Sequence, residues 1–185
     1  MRIIAGERKG LPLKSVPGES TRPTTDKVKE AIFNMIGPYF DGGLGLDLYA
    51  GSGSLGIEAL SRGLSKVIFV DRDLKAVQTI KFNLKRSQYA SSAEVYRNDA
   101  KAALRALKKR NLKFSYIFLD PPYNRNSIKN EIESIYHYQL LETDGKVIAE
   151  HSSKQELPET IEKLEKQKFE IYGNTAISIY AFKEE

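Results

Sequence analysis

Three glycines and two carboxylates form the first group of residues whose spacing suggests chemistry. Residues 47–56 contain glycines at the spacing G-x-G-x-x-G, between an apolar stretch and a helical pattern. Glycines at such a point let the backbone turn tightly and approach a ligand closely. Asp71 follows the next apolar stretch, 20 residues after Gly51, where a carboxylate can bind ribose hydroxyls. The pattern predicts a site for an adenosine-containing cofactor at the ends of two strands.

Two cofactors fit such a loop: a nicotinamide dinucleotide and S-adenosyl-L-methionine. Asp47, four residues before Gly51, favours the second, because a carboxylate suits the ammonium group of a methionine moiety and repels a pyrophosphate. Residues 98–100 follow the third predicted strand, where a polar side chain can accept a hydrogen bond from the adenine amino group. Asp99 can also cap the next helix, and both roles can coexist. The residues that we predict to bind the cofactor are Asp47, Tyr49, Gly51, Gly53, Asp71, Arg72, Asp99 and Ala100.

The second chemical group is Asp120-Pro121-Pro122-Tyr123, which follows the apolar stretch 114–119. Each proline fixes the backbone and removes an N–H donor, so the neighbouring carbonyls and the Asp120 carboxylate are presented as acceptors. Tyr123 adds an aromatic face on which a planar base can stack. The alternative is that these residues only form a turn after a buried strand. That interpretation does not explain why hydrogen-bond acceptors and the Tyr123 ring lie together at the end of a strand. We predict that Asp120, Pro121, Pro122 and Tyr123 are catalytic, acting on an amino group, and that S-adenosyl-L-methionine is the cofactor.

Alternating strand and helix patterns must position these two groups. Strands are predicted at 44–49, 66–70, 93–97, 114–119, 146–149, 169–172 and 175–182, and helices at 26–36, 55–62, 74–84, 100–110, 128–138 and 158–167. Strands separated by helices indicate a parallel sheet, in which ligands bind at the carboxyl ends of the strands. Gly173-Asn174 predicts a hairpin turn that makes one strand antiparallel. The predicted fold is a Rossmann-like α/β fold with a seven-stranded, mostly parallel sheet.

The first 24 residues depart from this pattern. Residues 2–6 and 10–14 predict a small β-hairpin, and residues 15–24 are rich in Pro, Gly, Ser and Thr, which is typical of a loop. We therefore predict an N-terminal hairpin and loop at 1–24 and a catalytic domain at 25–185. Residues 1–29 carry seven Lys or Arg against three acids, and the whole chain has a net charge of +5. This excess of positive charge favours a polyanionic partner.

The composition excludes several kinds of site. The 185 residues contain no cysteine, which rules out disulfides, zinc–thiolate sites, iron–sulfur clusters and thiol nucleophiles. With only two histidines, His137 and His151, we expect no metal site. His151 follows the fifth predicted strand, where it is either a satisfied structural residue or a base near the site. No uncharged stretch approaches the roughly 20 residues that span a bilayer, and no signal peptide is visible, so we expect a cytoplasmic protein that binds no membrane.

Both motifs resemble those of one enzyme class. Residues 47–56 are similar to the first motif of class I S-adenosylmethionine-dependent methyltransferases, and Asp120-Pro-Pro-Tyr123 resembles the [Asn/Asp/Ser]-Pro-Pro-[Tyr/Phe] motif of amino-group methyltransferases. Residues 1–6, 21–26 and 47–60 are similar to one bacterial family, the 16S ribosomal RNA guanine-N2 methyltransferases that act on the small subunit. The similarity covers nearly the whole chain, including 150–152 and 172–175.

This resemblance implies N2-methylation of one flipped guanine of 16S rRNA, in the small ribosomal subunit or its late precursor. It also implies that the N-terminal hairpin and residues 22–24 lie near the RNA. The residues assigned to RNA binding are Arg2, Arg8, Lys9, Arg22 and Thr24. We expect a monomer. Many relatives that act on adenine or glutamine have Asn where this chain has Asp120, so the identity of the base depends on the resemblance.

The expected reaction is a direct displacement, in which the amino nitrogen attacks the methyl carbon and either Asp120 or water accepts the proton. The alternatives are another amino-group methyltransferase, acting on DNA adenine-N6 or protein glutamine, and a non-catalytic ribosome-assembly factor. A nicotinamide-dependent oxidoreductase is a further alternative, but it would leave residues 120–123 without a role.

Overall fold

Strand and helix alternate along the first hundred residues, as the sequence pattern predicts. The computed structural model describes residues 1–18, 24–122 and 127–184. The chain divides into two units, Met1–Ala100 and Lys101–Glu185. The elements of the first unit are α1 (Asp26–Ile36), β1 (Leu44–Asp47), α2 (Ser54–Ser61), β2 (Lys66–Asp71), α3 (Leu74–Ser87), a 3₁₀ turn (Ala90–Ser92) and β3 (Ala93–Arg97). Within this unit the strands are parallel and lie in the order β3-β2-β1.

The first helix begins and packs as its sequence predicts. The Thr25 side chain accepts a hydrogen bond from the backbone N–H of Val28 at 3.2 Å, and Asp26 lies in the positively polarised first turn. Its apolar residues repeat at helical spacing, and Val28, Ile32, Phe33 and Ile36 are buried. One polar residue, Lys29, is buried among them.

Close packing between α2 and β2 explains the third glycine of the loop. Residues 67–70 of β2 are buried, as expected for a strand covered on both faces. A Cβ added to Gly56 would lie 2.3 Å from the ring of Phe69. Only a glycine therefore lets α2 approach β2 this closely, and this approach fixes the start of α2 over the strand ends.

The second unit combines one parallel pair with antiparallel strands. Its elements are α4 (Ala100–Lys108, which begins at the boundary), β4 (Phe114–Leu119), α5 (Ser127–His137), β5 (Leu141–Ser152), β6 (Thr160–Ile161), β7 (Leu164–Tyr172) and β8 (Thr175–Phe182). The strands lie in the order β4-β5-β8-β7-β6. The β4–β5 pair is parallel, and the other three pairs are antiparallel. The predicted α/β class is confirmed.

The predicted helix at 158–167 is wrong, because this region forms β6 and the start of β7. Leu157, Ile161 and Leu164 are buried at spacings of four and three residues, which imitates a helix. Glu162 instead adopts a positive φ of 54° in a tight turn between β6 and β7. Pairing of β7 with β8 along its length overrides the local periodicity. Because of β6, the described residues hold eight strands, not the predicted seven.

The predicted N-terminal hairpin is short. It has one antiparallel bridge among the described residues, Arg2 to Pro12, and backbone hydrogen bonds such as that from the Leu13 N–H to the Met1 carbonyl at 2.9 Å. Strand β5 begins five residues before the predicted start at 146, and its register with β4 shifts between Phe114 and Tyr116. None of the helices in the described part of the chain is long and apolar enough to cross a membrane.

Candidate functional site

Asp71 joins the ends of three strands in the first unit. Its carboxylate accepts hydrogen bonds from the backbone N–H of Gly51 at 2.8 Å and of Asp73 at 2.9 Å. Its backbone carbonyl accepts from the N–H of Asn98, which follows β3, at 3.1 Å. The structure therefore brings the predicted ribose-binding residue, the glycine loop and the third strand end together at the carboxyl edge of β3-β2-β1.

The glycine loop has room for a ligand on one side. Gly51 and Gly53 adopt φ angles of 56° and 84°, in the left-handed region that glycine populates readily. A Cβ added to Gly51 would meet no atom within 4 Å, whereas one on Gly53 would contact Ile57 at 3.4 Å and Ile80 at 3.5 Å. Gly53 is thus packed against the protein and Gly51 faces open space, so these residues fit a cofactor lying against the loop.

Asp47, at the end of β1, is buried against the start of α2. Its side chain is 2% exposed and accepts a hydrogen bond from the backbone N–H of Gly56 at 3.1 Å. Burial raises the pKa of Asp47 to about 7, the Gly56 bond opposes this rise, and the negative charge of Asp71 adds to it. The predicted contact of Asp47 with a ligand ammonium stays a prediction, because the structure shows only its bond to α2.

The remaining predicted cofactor residues border the same strand ends. Tyr49 and Ala100 are half-buried, while Arg72 and Asp99 are exposed. The Arg97 guanidinium donates to the carbonyl of Arg72 at 3.2 Å, which links the residues after β2 to β3. The assignment of these four residues to the cofactor stays a prediction.

The Asp-Pro-Pro motif of the second unit follows β4 directly. Asp120 and Pro121 are half-buried and Pro122 is exposed, while Tyr123 lies outside the described residues. Neither proline carries a backbone N–H, so the chain just after β4 offers acceptors at two successive positions. Within residues 1–18, 24–122 and 127–184, no three acidic or histidine side chains come together as a metal site. The catalytic assignment of the motif stays a prediction.

His151 bridges two strands of the second unit. Its Nδ1 lies 2.9 Å from the carbonyl of Ser152, and its Nε2 lies 2.8 Å from the hydroxyl of Ser178. A carbonyl oxygen only accepts, so Nδ1 carries the proton and neutral Nε2 accepts from Ser178. Burial is the main cause that lowers the pKa of His151, which agrees with a neutral ring. Both nitrogens are occupied, which supports the structural reading of His151 over a role as a base.

The predicted RNA-binding residues differ in solvent exposure and in the hydrogen bonds that their side chains make. The Arg2 side chain is 65% exposed and pairs with Asp26 at 3.3 Å. Lys9 is exposed and Thr24 is half-buried. Arg8 instead donates to the carbonyl of Ser87 at 2.9 Å and to the side chain of Gln88 at 3.0 Å, at the end of α3. Arg22 lies outside the described residues, and all five assignments stay predictions.

The sequence pattern did not lead us to single out three buried polar residues of the first unit. Lys29, Glu58 and Asn83 are fully buried and contact the N-terminal residues or the start of α2. The signal that could have identified them is a polar residue at a position where helical spacing predicts a buried apolar one. Lys29 lies three residues before Ile32, and Asn83 lies three residues after Ile80. A polar residue at such a position must find hydrogen-bond partners inside the protein.

Comparisons with known proteins agree with this geometry. The family described as "Conserved hypothetical protein 95" matches residues 1–181. The Bacillus subtilis protein named "Putative rRNA methyltransferase YlbH" is 59% identical over 180 residues, which cover 97% of this chain and 98% of that protein. The Haemophilus influenzae protein named "Ribosomal RNA small subunit methyltransferase D" is 35% identical over 150 residues, covering 81% of this chain and 78% of that protein.

A solved structure shares the whole fold. The protein described as "Putative methyltransferase yhhF from Escherichia coli" superposes with a TM-score of 0.84 at 29% sequence identity. The superposition covers 100% of this chain and 99% of that one. The expected similarity to small-subunit rRNA methyltransferases, and the methyltransferase fold class, are confirmed.

Proposed function

The chain belongs to the family described as Conserved hypothetical protein 95, and from this premise we propose that it is an rRNA methyltransferase. The substrate is a guanine of 16S rRNA in the small ribosomal subunit or its late precursor, and the product carries a methyl group on the exocyclic N2. The enzyme acts as a cytoplasmic monomer and uses S-adenosyl-L-methionine without a metal.

The proposal depends above all on the acceptors that follow β4. An exocyclic amino group has two hydrogens to donate and is best recognised by two acceptors. The Asp120 carboxylate and the Pro121 carbonyl are two such groups, and neither Pro121 nor Pro122 adds a backbone N–H beside them. This arrangement favours a substrate amino group over a hydroxyl or carboxylate.

The glycine loop and Asp71 are the groups that would hold the cofactor. Asp71 accepts from ribose hydroxyls while it keeps the loop in place through its 2.8 Å bond from Gly51. Gly51 lets the cofactor lie against the backbone, and Asp47 compensates the charge of its ammonium group. When bound, S-adenosyl-L-methionine supplies a methyl group on a positively charged sulfur, which makes the carbon electrophilic.

The residues after β4 activate the nucleophile. The guanine lone pair on N2 is normally delocalised into the ring, and hydrogen bonds from the amino group to Asp120 and to the Pro121 carbonyl favour a more tetrahedral nitrogen. They also stabilise the positive charge that grows on this nitrogen during attack. In a direct displacement the N–C bond would form as the C–S bond of the cofactor breaks, and Asp120 or water would accept the extra proton. Holding both reactants in place supplies much of the remaining rate enhancement.

Recognition of the RNA is assigned to two further parts of the chain. Tyr123 stacks on the flipped guanine, which contributes about 1–3 kcal/mol in comparable single-strand complexes. Residues 1–24, with Arg2, Arg8, Lys9, Arg22 and Thr24, face the RNA. Of these, Lys9 is exposed, and the Arg2 side chain is 65% exposed although it pairs with Asp26, so both can reach phosphate oxygens.

Product analysis tests this function. The protein is incubated with methyl-labelled S-adenosyl-L-methionine and one of three substrates: small subunits reconstituted with unmethylated 16S transcript, the naked transcript, or duplex DNA. The labelled product is then digested to nucleosides. We expect N2-methylguanosine from the reconstituted particle. Label in methyladenosine, or only in DNA, would contradict the guanine assignment. Label in a ribosomal protein would point to glutamine methylation, and no label despite cofactor binding would support an assembly factor.

A further inference from the structure

Buried polar groups of α1 and α2 hold residues 1–14 against the rest of the first unit. Lys29, which is fully buried, donates to the carbonyl of Arg2 at 2.6 Å and to the hydroxyl of Ser54 at 2.9 Å. Ser54 is the first residue of α2 and follows the glycine loop directly. One lysine therefore connects the N-terminal segment (residues 1–14) with the end of the loop.

Glu58 holds the same segment from α2. Its carboxylate accepts from the backbone N–H of Ile4 at 2.8 Å and of Ala5 at 3.1 Å. It also lies 3.5 Å from the Lys29 ammonium and 2.7 Å from Arg62 Nε. Burial lowers the pKa of Lys29, and the charge of Glu58 opposes this effect. The two charges thus compensate each other inside the protein, and both need the segment to complete their hydrogen bonds.

Asn83 of α3 connects the segment with the loop itself, where the Ser52 hydroxyl also lies 3.5 Å from the Met1 sulfur. Its Oδ1 accepts from the Lys14 N–H at 2.9 Å, and its Nδ2 donates to the Lys14 carbonyl at 2.9 Å. The same Nδ2 donates to the carbonyl of Ser52, inside the glycine loop, at 2.9 Å. Since Asn83 is fully buried, its amide has no water to replace a lost partner. While the site stays closed, loss of either contact leaves a buried polar group unsatisfied, which is unfavourable.

We propose that Asn83 is a positioning residue that couples the N-terminal segment to the cofactor loop, so that docking of the segment and binding of the cofactor stabilise each other. This inference rests on the proposed function, because it takes the glycine loop to be the cofactor site. Coupling of this kind is reciprocal: a cofactor that favours the loop conformation seen here also favours the docked segment, by the same factor. The segment is the part assigned to RNA, so RNA that binds the docked segment tightens cofactor binding.

Ser61 offers a way to loosen the segment far from the loop. Its hydroxyl donates to the carbonyl of Ala5 at 2.7 Å and accepts from the N–H of Arg8 at 3.0 Å. None of its side-chain hydrogen bonds involves residues 47–56. Ser61→Ala therefore weakens docking without removing a hydrogen bond to the loop. Asn83→Asp removes the amide donor shared by the Lys14 and Ser52 carbonyls and keeps the side-chain volume. Gln78→Glu, at an exposed position of α3, is the matched control for the added charge.

The test measures hydrogen exchange of residues 1–14 and calorimetric binding of S-adenosylhomocysteine to the full-length protein. In the wild-type protein and Gln78→Glu, we expect the cofactor product to slow exchange of the segment by about fivefold or more. In Asn83→Asp, the added protection disappears. In Ser61→Ala, affinity for S-adenosylhomocysteine falls by about threefold, although no loop residue is touched.

Three results overturn the proposal, and they distinguish failure of the coupling from failure of the proposed function. Binding of S-adenosylhomocysteine without any added protection of residues 1–14 in the wild-type protein overturns the coupling and leaves the proposed function intact. Unchanged affinity in Ser61→Ala, together with faster exchange of the segment, does the same. Failure of the folded wild-type protein to bind S-adenosylhomocysteine overturns the proposed function, and the coupling falls with it.

Discussion

The backbone supplies hydrogen-bond donors near the strand ends of the first unit, and it lacks them at two positions after β4 in the second unit. After β1 and β2, the carboxylates of Asp47 and Asp71 accept backbone N–H groups from Gly56, Gly51 and Asp73. After β4, two successive prolines remove the backbone N–H, so that the chain there can only accept. In the first arrangement the carboxylates hold a loop, and in the second the Asp120 carboxylate is followed by two residues without a backbone N–H.

This difference suggests that the first unit binds the cofactor and that the residues after β4 act on the substrate. A loop fixed by its own hydrogen bonds is preorganised, so a cofactor that fits it orders few residues on binding. A site made of acceptors favours a ligand that brings donors, as the amino group of guanine does. Changes in the first unit should therefore act on cofactor affinity, and changes after β4 should act on turnover.

The largest effect is expected from Asp120→Ala. Removal of one acceptor for the reacting amino group should lower kcat by about 100-fold or more, because this group stabilises charge that develops in the transition state. The calorimetric affinity for S-adenosylhomocysteine should stay within twofold of wild type. Asp144→Ala, at an exposed position of the second unit, is the control. Normal turnover in Asp120→Ala would remove the catalytic role of this residue.

Asp71→Ala should show the reverse pattern. Loss of hydrogen bonds from ribose hydroxyls to a charged acceptor should weaken S-adenosylhomocysteine binding by about 10–100-fold. The kcat at saturating S-adenosyl-L-methionine should change by only a few-fold. Asp41→Ala, at an exposed position of the same unit, serves as the control in calorimetry. An unaltered dissociation constant would argue against the role of Asp71 toward ribose.

Asp47→Asn should change how stability depends on pH. The pKa of Asp47 is raised from 3.8 to about 7 in the folded protein, so between these values the folded state holds a proton that the unfolded state has lost. The free energy of unfolding therefore falls as pH rises through this range, by about 1.4 kcal/mol per pH unit at most. Between pH 5 and 7, wild type should lose about 2 kcal/mol relative to Asp47→Asn.

Urea unfolding of both proteins at pH 5 and 7 measures this difference, because all other titrating groups are shared. Parallel pH profiles would show that Asp47 does not titrate in this range. The same carboxylate should bind an ammonium group better when ionised. Affinity of the wild-type protein for S-adenosylhomocysteine should thus rise between pH 6 and 8 more than that of Asp47→Asn.

The smallest effect is expected from Arg22→Glu. A phosphate contact is sequence-independent and screened by salt, so the substitution should raise KM for the RNA substrate by a few-fold at low salt and less at high salt. The salt dependence of RNA binding should become shallower by about 1 in logarithmic slope. Lys163→Glu, at an exposed position of the second unit, is the matched control. Lower kcat with intact RNA affinity would assign Arg22 to something other than phosphate.

Local signals predicted most of the framework. The Thr25 cap, the glycine loop between β1 and α2, and the turn at Gly173-Asn174 each depend on residues close in sequence, and the structure confirms all three. The helix predicted at 158–167 failed because pairing of β7 with β8 is a long-range contact that imposes strand geometry on a helical pattern.

The candidate site was predictable only in part, for the same reason. The residue types and positions of Asp71 and Gly51 suggested a cofactor loop, but not the hydrogen bond between them. Asn83 could be recognised as a polar residue on an apolar face, yet its partners, Lys14 and Ser52, lie 69 and 31 residues away. Contacts at such separations depend on the assembled fold, which no local pattern reveals.

The most direct test of the central claim is to remove the proposed reacting atom from the substrate. Once the labelled nucleotide has been located, a 16S transcript carrying a single inosine at that position is assembled into small subunits and incubated with labelled S-adenosyl-L-methionine. Inosine lacks the N2 amino group and keeps the rest of the guanine base. If the acceptors after β4 act on N2, the inosine particle receives no label while the guanosine particle does. Label on the inosine would contradict the account, because another atom would then be the nucleophile.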